Sequence, residues 1–212
     1  LAPNTLYHVR AYASNQAGTS FGQNLSFTTL IDLPAIQTID PLEIKYNSVL
    51  IGGKEIYDGG GSITEKGICW SPEPTPDTSD QHMKFAAGIE DFLLLVENLA
   101  PNSQYYFSAY AINETGIAYG NTIAATTLIG PAEIHTNEAS VIRSSSAQSG
   151  GEIIHSGGGT ILDKGLCWSK AENPGLQDST SSAGPGDATF TLTMTNLSSN
   201  TLYKVRAYAI NQ

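Results

Sequence analysis

Apolar and polar residues alternate along most of this chain with a period of two. Phe92, Leu94 and Val96 are interleaved with Leu93, Leu95 and Glu97, and Tyr105, Phe107, Ala109 and Ala111 with Tyr106, Ser108, Tyr110 and Ile112. Such spacing places the two sets on opposite faces of a β-strand. Clusters of Gly, Pro, Asn and Asp, the turn formers, separate the runs. The pattern predicts strands over 34–39, 44–54, 63–71, a short one near 83–86, then 91–97, 103–112 and 117–127. Residues 57–61 turn the chain between the second and third strands, and 72–80 form a proline-rich loop after the third.

The same pattern is written repeatedly. Leu1-Ala-Pro-Asn-Thr-Leu-Tyr7 returns as Leu99-Ala-Pro-Asn-Ser-Gln-Tyr105 and Leu197-Ser-Ser-Asn-Thr-Leu-Tyr203, each 98 residues on. Lys66-Gly-Ile-Cys-Trp-Ser71 returns as Lys164-Gly-Leu-Cys-Trp-Ser169, and Gly59-Gly60-Gly61 as Gly157-Gly158-Gly159. A gapless period describes an array of like units. The expected fold class is all-β, with tandem immunoglobulin-like sandwiches of about 98 residues per repeat. The expected organisation is 1–29 as the sixth and seventh strands of a truncated repeat, 30–127 as a complete repeat, and 128–212 as a repeat without its last strand. The chain then reads either as a window on a longer one, with Tyr7, Val9 and Ala11 left uncovered, or as a unit whose N-terminal strand completes the last repeat of another copy.

Comparison of copies sorts the faces. Phe92, Leu94 and Val96 recur as Phe190, Leu192 and Met194, whereas Leu93 and Leu95 become Thr191 and Thr193. The first set must face the core; the second can face water. Trp70 and Trp168 share a face with Ile68 and Leu166 and are expected in the core.

Charge narrows the function classes. The net charge of −10 argues against nucleic acid, whose binding depends on Lys and Arg at phosphates. Residues 30–127 carry 13 acids and 4 bases but 128–212 only 7 and 5, so acidity serves solubility rather than a repeated binding face. No apolar run reaches the roughly 20 residues of a membrane helix, so no membrane insertion is expected in this segment. The two cysteines, Cys69 and Cys167, fall one per repeat and are expected to be buried free thiols.

Candidate chemistry is sparse. His155-Ser156 with Asp163 has the residue types of a nucleophile and its base, but Tyr57-Asp58 and Glu65 replace them one repeat earlier. His8, His82 and His135 fall at three different phases and give no metal-ligand spacing. The glycine turns lack the Lys-Ser/Thr of a phosphate loop. Hence no catalytic, cofactor-binding or metal site is expected, and no enzyme. Tyr12, Tyr110 and Tyr208 recur on the face opposite the buried alanines. They form either an exposed row able to stack on sugars or a cross-strand packing contact.

Leu1 to Gly18, with its Leu-x-Pro-x-Thr-x-Tyr-x-Val-x-Ala-x-Ala-x-Asn-x-x-Gly pattern, resembles the sixth and seventh strands of a fibronectin type III module. Tyr7, Tyr105 and Tyr203 match the tyrosine corner of such sandwiches. Trp70 and Trp168 depart from the family by lying on the third strand rather than the second. This variant, with Gly-Gly before Gly-x-Cys-Trp-Ser, resembles a subgroup in very large surface proteins of Gram-negative bacteria. The resemblance implies a structural array forming the stalk or shaft of an extracellular adhesin or filament at the bacterial cell surface. Its partners would be neighbouring repeats of the same long chain and other copies in a filament. The alternative is a set of accessory spacer or carbohydrate-binding modules in a secreted glycan-degrading enzyme. Asp178-Ser179-Thr180 is similar to the short O-glycosylation sequence of the same bacteria, which makes Ser179, in a Ser/Thr-rich loop over 177–182, a candidate acceptor.

Overall fold

The computed structural model describes all 212 residues as strands, turns and loops, with no helix. Residues 1–29 hold β1 (Leu6–Val9), β2 (Tyr12–Asn15), β3 (Gly18–Phe21) and β4 (Leu25–Thr28), with β1 paired to β4 and β2 to β3. Tyr7 stacks on Phe27 at 5.9 Å, while Val9, Leu25 and Phe27 remain exposed.

The next eight strands build a sandwich. They are β5 (Ala35–Ile44), β6 (Ser48–Tyr57), β7 (Glu65–Ser71), β8 (Gln81–Phe85), β9 (Phe92–Glu97), β10 (Gln104–Ile112), β11 (Ile117–Tyr119) and β12 (Ile123–Thr126). One sheet has the order β5-β6-β9; the other runs β11-β10-β7-β8, with β12 also on β10. This is a fibronectin type III-like arrangement. Its interior is made by Ile36, Val49, Ile51, Ile68, Trp70, Phe92, Val96, Phe107, Ala109 and Ala111, all buried. The expected alternation is seen on β9, where Phe92 and Val96 are buried and Leu93 and Leu95 exposed.

Two boundaries differ from the sequence reading, each for a local reason. The first hairpin turns at Lys45, whose amide donates to Ser48 O at 2.8 Å, so β5 continues through Pro41. The β5–β6 register shifts between Ile39 and Glu43, and a proline is tolerated at such an irregularity. The seventh strand is split into β11 and β12 around Gly120-Asn121. There Thr38 of β5 donates its amide to Asn121 Oδ1 at 3.1 Å and its hydroxyl to Asn121 O, and a Cβ on Gly120 would lie 2.8 Å from Thr38 Oγ1.

The last repeat holds β13 (Glu133–Thr136), β14 (Ala147–His155), β15 (Ile161–Ser169), β16 (Ser179–Gly184), β17 (Phe190–Met194) and β18 (Lys204–Asn211). The sheets β13-β14-β17 and β16-β15-β18 enclose Ala147, Leu166, Trp168, Phe190, Met194 and Ala207. Thr136 copies Thr38: the hydroxyls of both accept a β-strand amide, from Ala207 at 2.9 Å and Ala109 at 3.0 Å.

The chain forms two compact units. One comprises Leu1–Ile44, Val49–Glu97 and Gln104–Ala125; the other comprises Lys45–Ser48, Asn98–Ser103 and Thr126–Gln212. The units cut across the sequence repeats, because the loops 45–48 and 98–103 belong with 126–212.

Candidate functional site

The polar chemistry of the chain lies in side chains that recur at the 98-residue spacing. Lys66 shares the inward parity of Ile68 and Trp70 on β7 and is only 1% exposed; Lys164 on β15 is 4% exposed. Burying an ammonium is costly unless hydrogen bonds compensate for the lost water. Lys66 Nζ donates to Gly88 O at 2.8 Å and Glu90 O at 2.6 Å, and stands 5.5 Å above the Phe92 ring. Lys164 Nζ donates to Pro185 O at 3.1 Å and Gly186 O at 2.6 Å, 5.9 Å above Phe190. Each lysine therefore ties the loop before β9 or β17 onto the core. Burial lowers the pKa of Lys66, opposed by the nearby charges of Glu90 and Asp91. The repeated Lys-Gly-x-Cys-Trp-Ser stretch carried this signal: its lysine lies two residues before the core Ile68.

The outward face of β7 is covered too. Cys69 Sγ donates to Ser108 O at 3.2 Å and Pro76 O at 3.4 Å, and Cys167 repeats both bonds to Arg206 O at 3.3 Å and Pro174 O at 3.4 Å. Both thiols are free and buried, as expected. Burial pushes the Cys69 thiol up to about 12 and raises that of Cys167. The proline-rich loop over this face is held by Tyr119 Oη, which accepts from the Thr78 amide at 3.2 Å.

The exposed tyrosine row is not formed. Tyr110 is 0% exposed and Tyr208 half-buried; Tyr12 alone is open, at 73%. The reason is a glycine: Tyr110 pairs with Gly67 and Tyr208 with Gly165, and a Cβ on either glycine would stand 2.8 Å from the tyrosine ring. Each ring lies in the hollow that glycine leaves. Cross-strand packing, the other reading of these residues, is what the structure contains.

Tyr7 and Tyr203 form the tyrosine corners expected of them. Tyr7 Oη accepts from the Ala2 amide at 2.7 Å, and Tyr203 Oη from the Ser198 amide at 3.1 Å.

His155, Ser156 and Asp163 are engaged separately. His155 Nδ1 accepts from the Gly157 amide at 2.8 Å, Ser156 O accepts from Asn211 Nδ2 at 2.6 Å, and Asp163 Oδ2 accepts from Tyr208 Oη at 3.0 Å. These are turn and packing bonds. No three His, Cys, Asp or Glu side chains come together as a metal-sized group. The turn glycines do supply left-handed backbone, with φ of 72° and 80° at Gly59 and Gly60 and 73° and 78° at Gly157 and Gly158. Ser179 is exposed, but it opens the edge strand β16, paired to Trp168, rather than lying in a loop.

No family model matches the chain, and no curated protein does. Among solved structures it is similar to the FN1-FN3 domains of chicken CNTN1, with a TM-score of 0.36 and 16% identity, covering 100% of this chain and 71% of that one.

Proposed function

We propose that this chain is a stretch of structural repeats in the stalk or shaft of an extracellular bacterial adhesin or filament. The observation that supports it is the contrast between interior and surface. The lysine tie to the following loop, the cysteine bonds and the tyrosine–carboxylate pair recur in both sandwiches, with Gly88 O and Gly186 O as the equivalent acceptors of the two lysines. Exposed strand positions vary: Leu93 and Leu95 on one copy are Thr191 and Thr193 on the next. A spacer selects for a folded unit and leaves its surface free to vary. The reading assigns no catalytic step to this stretch, and Ser179, exposed on an edge strand, would carry an O-glycan.

Two measurements test the proposal. Protease treatment of intact cells should remove the repeats while sparing cytoplasmic proteins. Stretching single molecules of the parent protein should give evenly spaced unfolding steps of roughly 300 Å, the contour of one 98-residue period at about 3.3 Å per residue less its folded length. Protection of the repeats in intact cells, or steps of irregular length, would overturn it.

A further inference from the structure

Three turns of the chain are built alike. Asn4, Asn102 and Asn200 have φ of 47°, 48° and 50°, the left-handed conformation that asparagine tolerates better than most residues. In each, the following hydroxyl braces the turn on the carbonyl of the preceding residue. Thr5 Oγ1 donates to Pro3 O at 2.7 Å, Ser103 Oγ to Pro101 O at 2.9 Å and Thr201 Oγ1 to Ser199 O at 3.1 Å.

Two of the three turns are seated on a glycine turn. Within the first compact unit Asn4 Nδ2 donates to Gly60 O at 2.8 Å; within the second, Asn102 Nδ2 donates to Gly158 O at 2.7 Å. Both bonds cross the same 56-residue interval. The fit is tight at Gly60, where a Cβ would stand 3.2 Å from Asn4 Cβ, and leaves no room at Gly158, where it would stand 2.6 Å from Asn102 Cβ. Glycine is thus required there twice, by its positive φ and by the approaching asparagine. The neighbouring backbone repeats as well, with Asp32 donating its amide to Gly59 O and Gly130 to Gly157 O, both at 2.9 Å.

Asn200 has the same φ and the same brace, and it is exposed. We infer that the Ser199–Asn200–Thr201 turn is a docking surface for a Gly-Gly-Gly turn of a further repeat of this type, with Asn200 Nδ2 donating to the carbonyl of the middle glycine. The inference rests on reading the chain as a repeat array. Its chemistry is an uncharged donor on a backbone carbonyl, so docking is nearly insensitive to salt.

The test uses the 212-residue chain and the same chain lengthened by one period, with a second copy of residues 115–212 after Gln212. In the longer chain the side-chain amide protons of Asn200 should exchange about ten-fold more slowly than in the shorter one, matching those of Asn4 and Asn102. Asn200→Gly keeps the left-handed backbone but deletes the donor, and should return the new glycine turn to fast exchange. If Asn200 exchanges equally fast in both chains while Asn102 stays protected, the docking surface is disproved and the array reading stands. Should the longer chain not fold, Asn102→Asp in the 212-residue chain decides, since it puts a carboxylate against Gly158 O. Exchange across Gly157–Gly159 that rises about ten-fold supports the seat, and unchanged exchange overturns it. Failure of the array reading itself would show separately, as irregular unfolding steps under force.

Discussion

Tyr110 donates its hydroxyl to Glu65 Oε1 at 3.0 Å across two neighbouring strands, and Tyr208 repeats the bond to Asp163 Oδ2 at 3.0 Å. Glu65 is paired not with Tyr110 but with Ile112; Tyr110 reaches it by lying over its own partner, Gly67. One glycine therefore positions both the ring and its hydrogen bond.

Removing that bond should be measurable in both size and pH dependence. Tyr110→Phe should cost about 1–2 kcal/mol in urea unfolding at neutral pH, since the acceptor is a carboxylate. The bond from Lys84, and with it that from Tyr110, holds the Glu65 carboxyl below its ordinary 4.5 against the opposing effect of burial. A lowered folded-state pKa means stability that is present above the unfolded value and lost as pH falls through the folded one. The gap between wild type and Tyr110→Phe should accordingly narrow below about pH 4. A gap that stays constant down to pH 2 would show that the carboxylate form is not the acceptor.

Lys66 gives a second test. Lys66→Ala removes the stem beside Phe92 and the donors for Gly88 O and Glu90 O, and should cost about 2–4 kcal/mol. Lys66→Met keeps the stem and should cost less than half as much, with faster amide exchange confined to the loop before β9. Equal losses in the two variants would place the contribution in the loop bonds alone.

Much of the fold was legible in the alternation, because a strand buried on one face leaves a period-two record and a second copy shows which set varies. Thr191 and Thr193 settled the orientation of Leu93 and Leu95 in this way. The burial of Lys66 is not legible, because lysine is almost always at the surface, although its parity matches Ile68 and Trp70. The alternation places Tyr110 on the outward face, where it lies. What the alternation could not reveal is that this face is covered, by a ring lying over Gly67 and by the loop tied to Tyr119. The split of the seventh strand was equally hidden, since Gly120 meets Thr38 from a strand at the far end of the repeat.

The cysteines should be silent until the protein unfolds. With burial pushing its thiol to about 12 against an ordinary 9.0, Cys69 carries almost no thiolate at pH 8. A thiol reagent such as dithiobis-nitrobenzoate should label neither cysteine in the native chain and both in guanidinium. Because the raised pKa belongs to the folded state, the unfolded chain releases this proton first, and the contribution of Cys69 to stability falls from about pH 9 upward. Cys69→Ala should flatten that alkaline decline; rapid labelling of the native protein would contradict the assignment.

Gly52 and Gly53 stand side by side on β6 yet should respond very differently to alanine. A Cβ on Gly52 would lie 1.8 Å from Phe92 O, a backbone atom of the paired strand, and Gly150 repeats this at 2.0 Å from Phe190 O. Relief requires β6 and β9 to separate, which opens the ladder beside the core residues Val96 and Ile51. A Cβ on Gly53 meets Ile36 Cδ1 and Phe92 Cε1, each at 2.7 Å, and both belong to side chains that can rotate. Gly52→Ala should therefore cost about 3 kcal/mol or more and Gly53→Ala about 1–2 kcal/mol, as overpacking against rigid and yielding neighbours. Urea unfolding of the two variants reads the order directly. Equal costs, or a larger one at Gly53, would mean that β6 and β9 part more easily than the Phe92 ring turns.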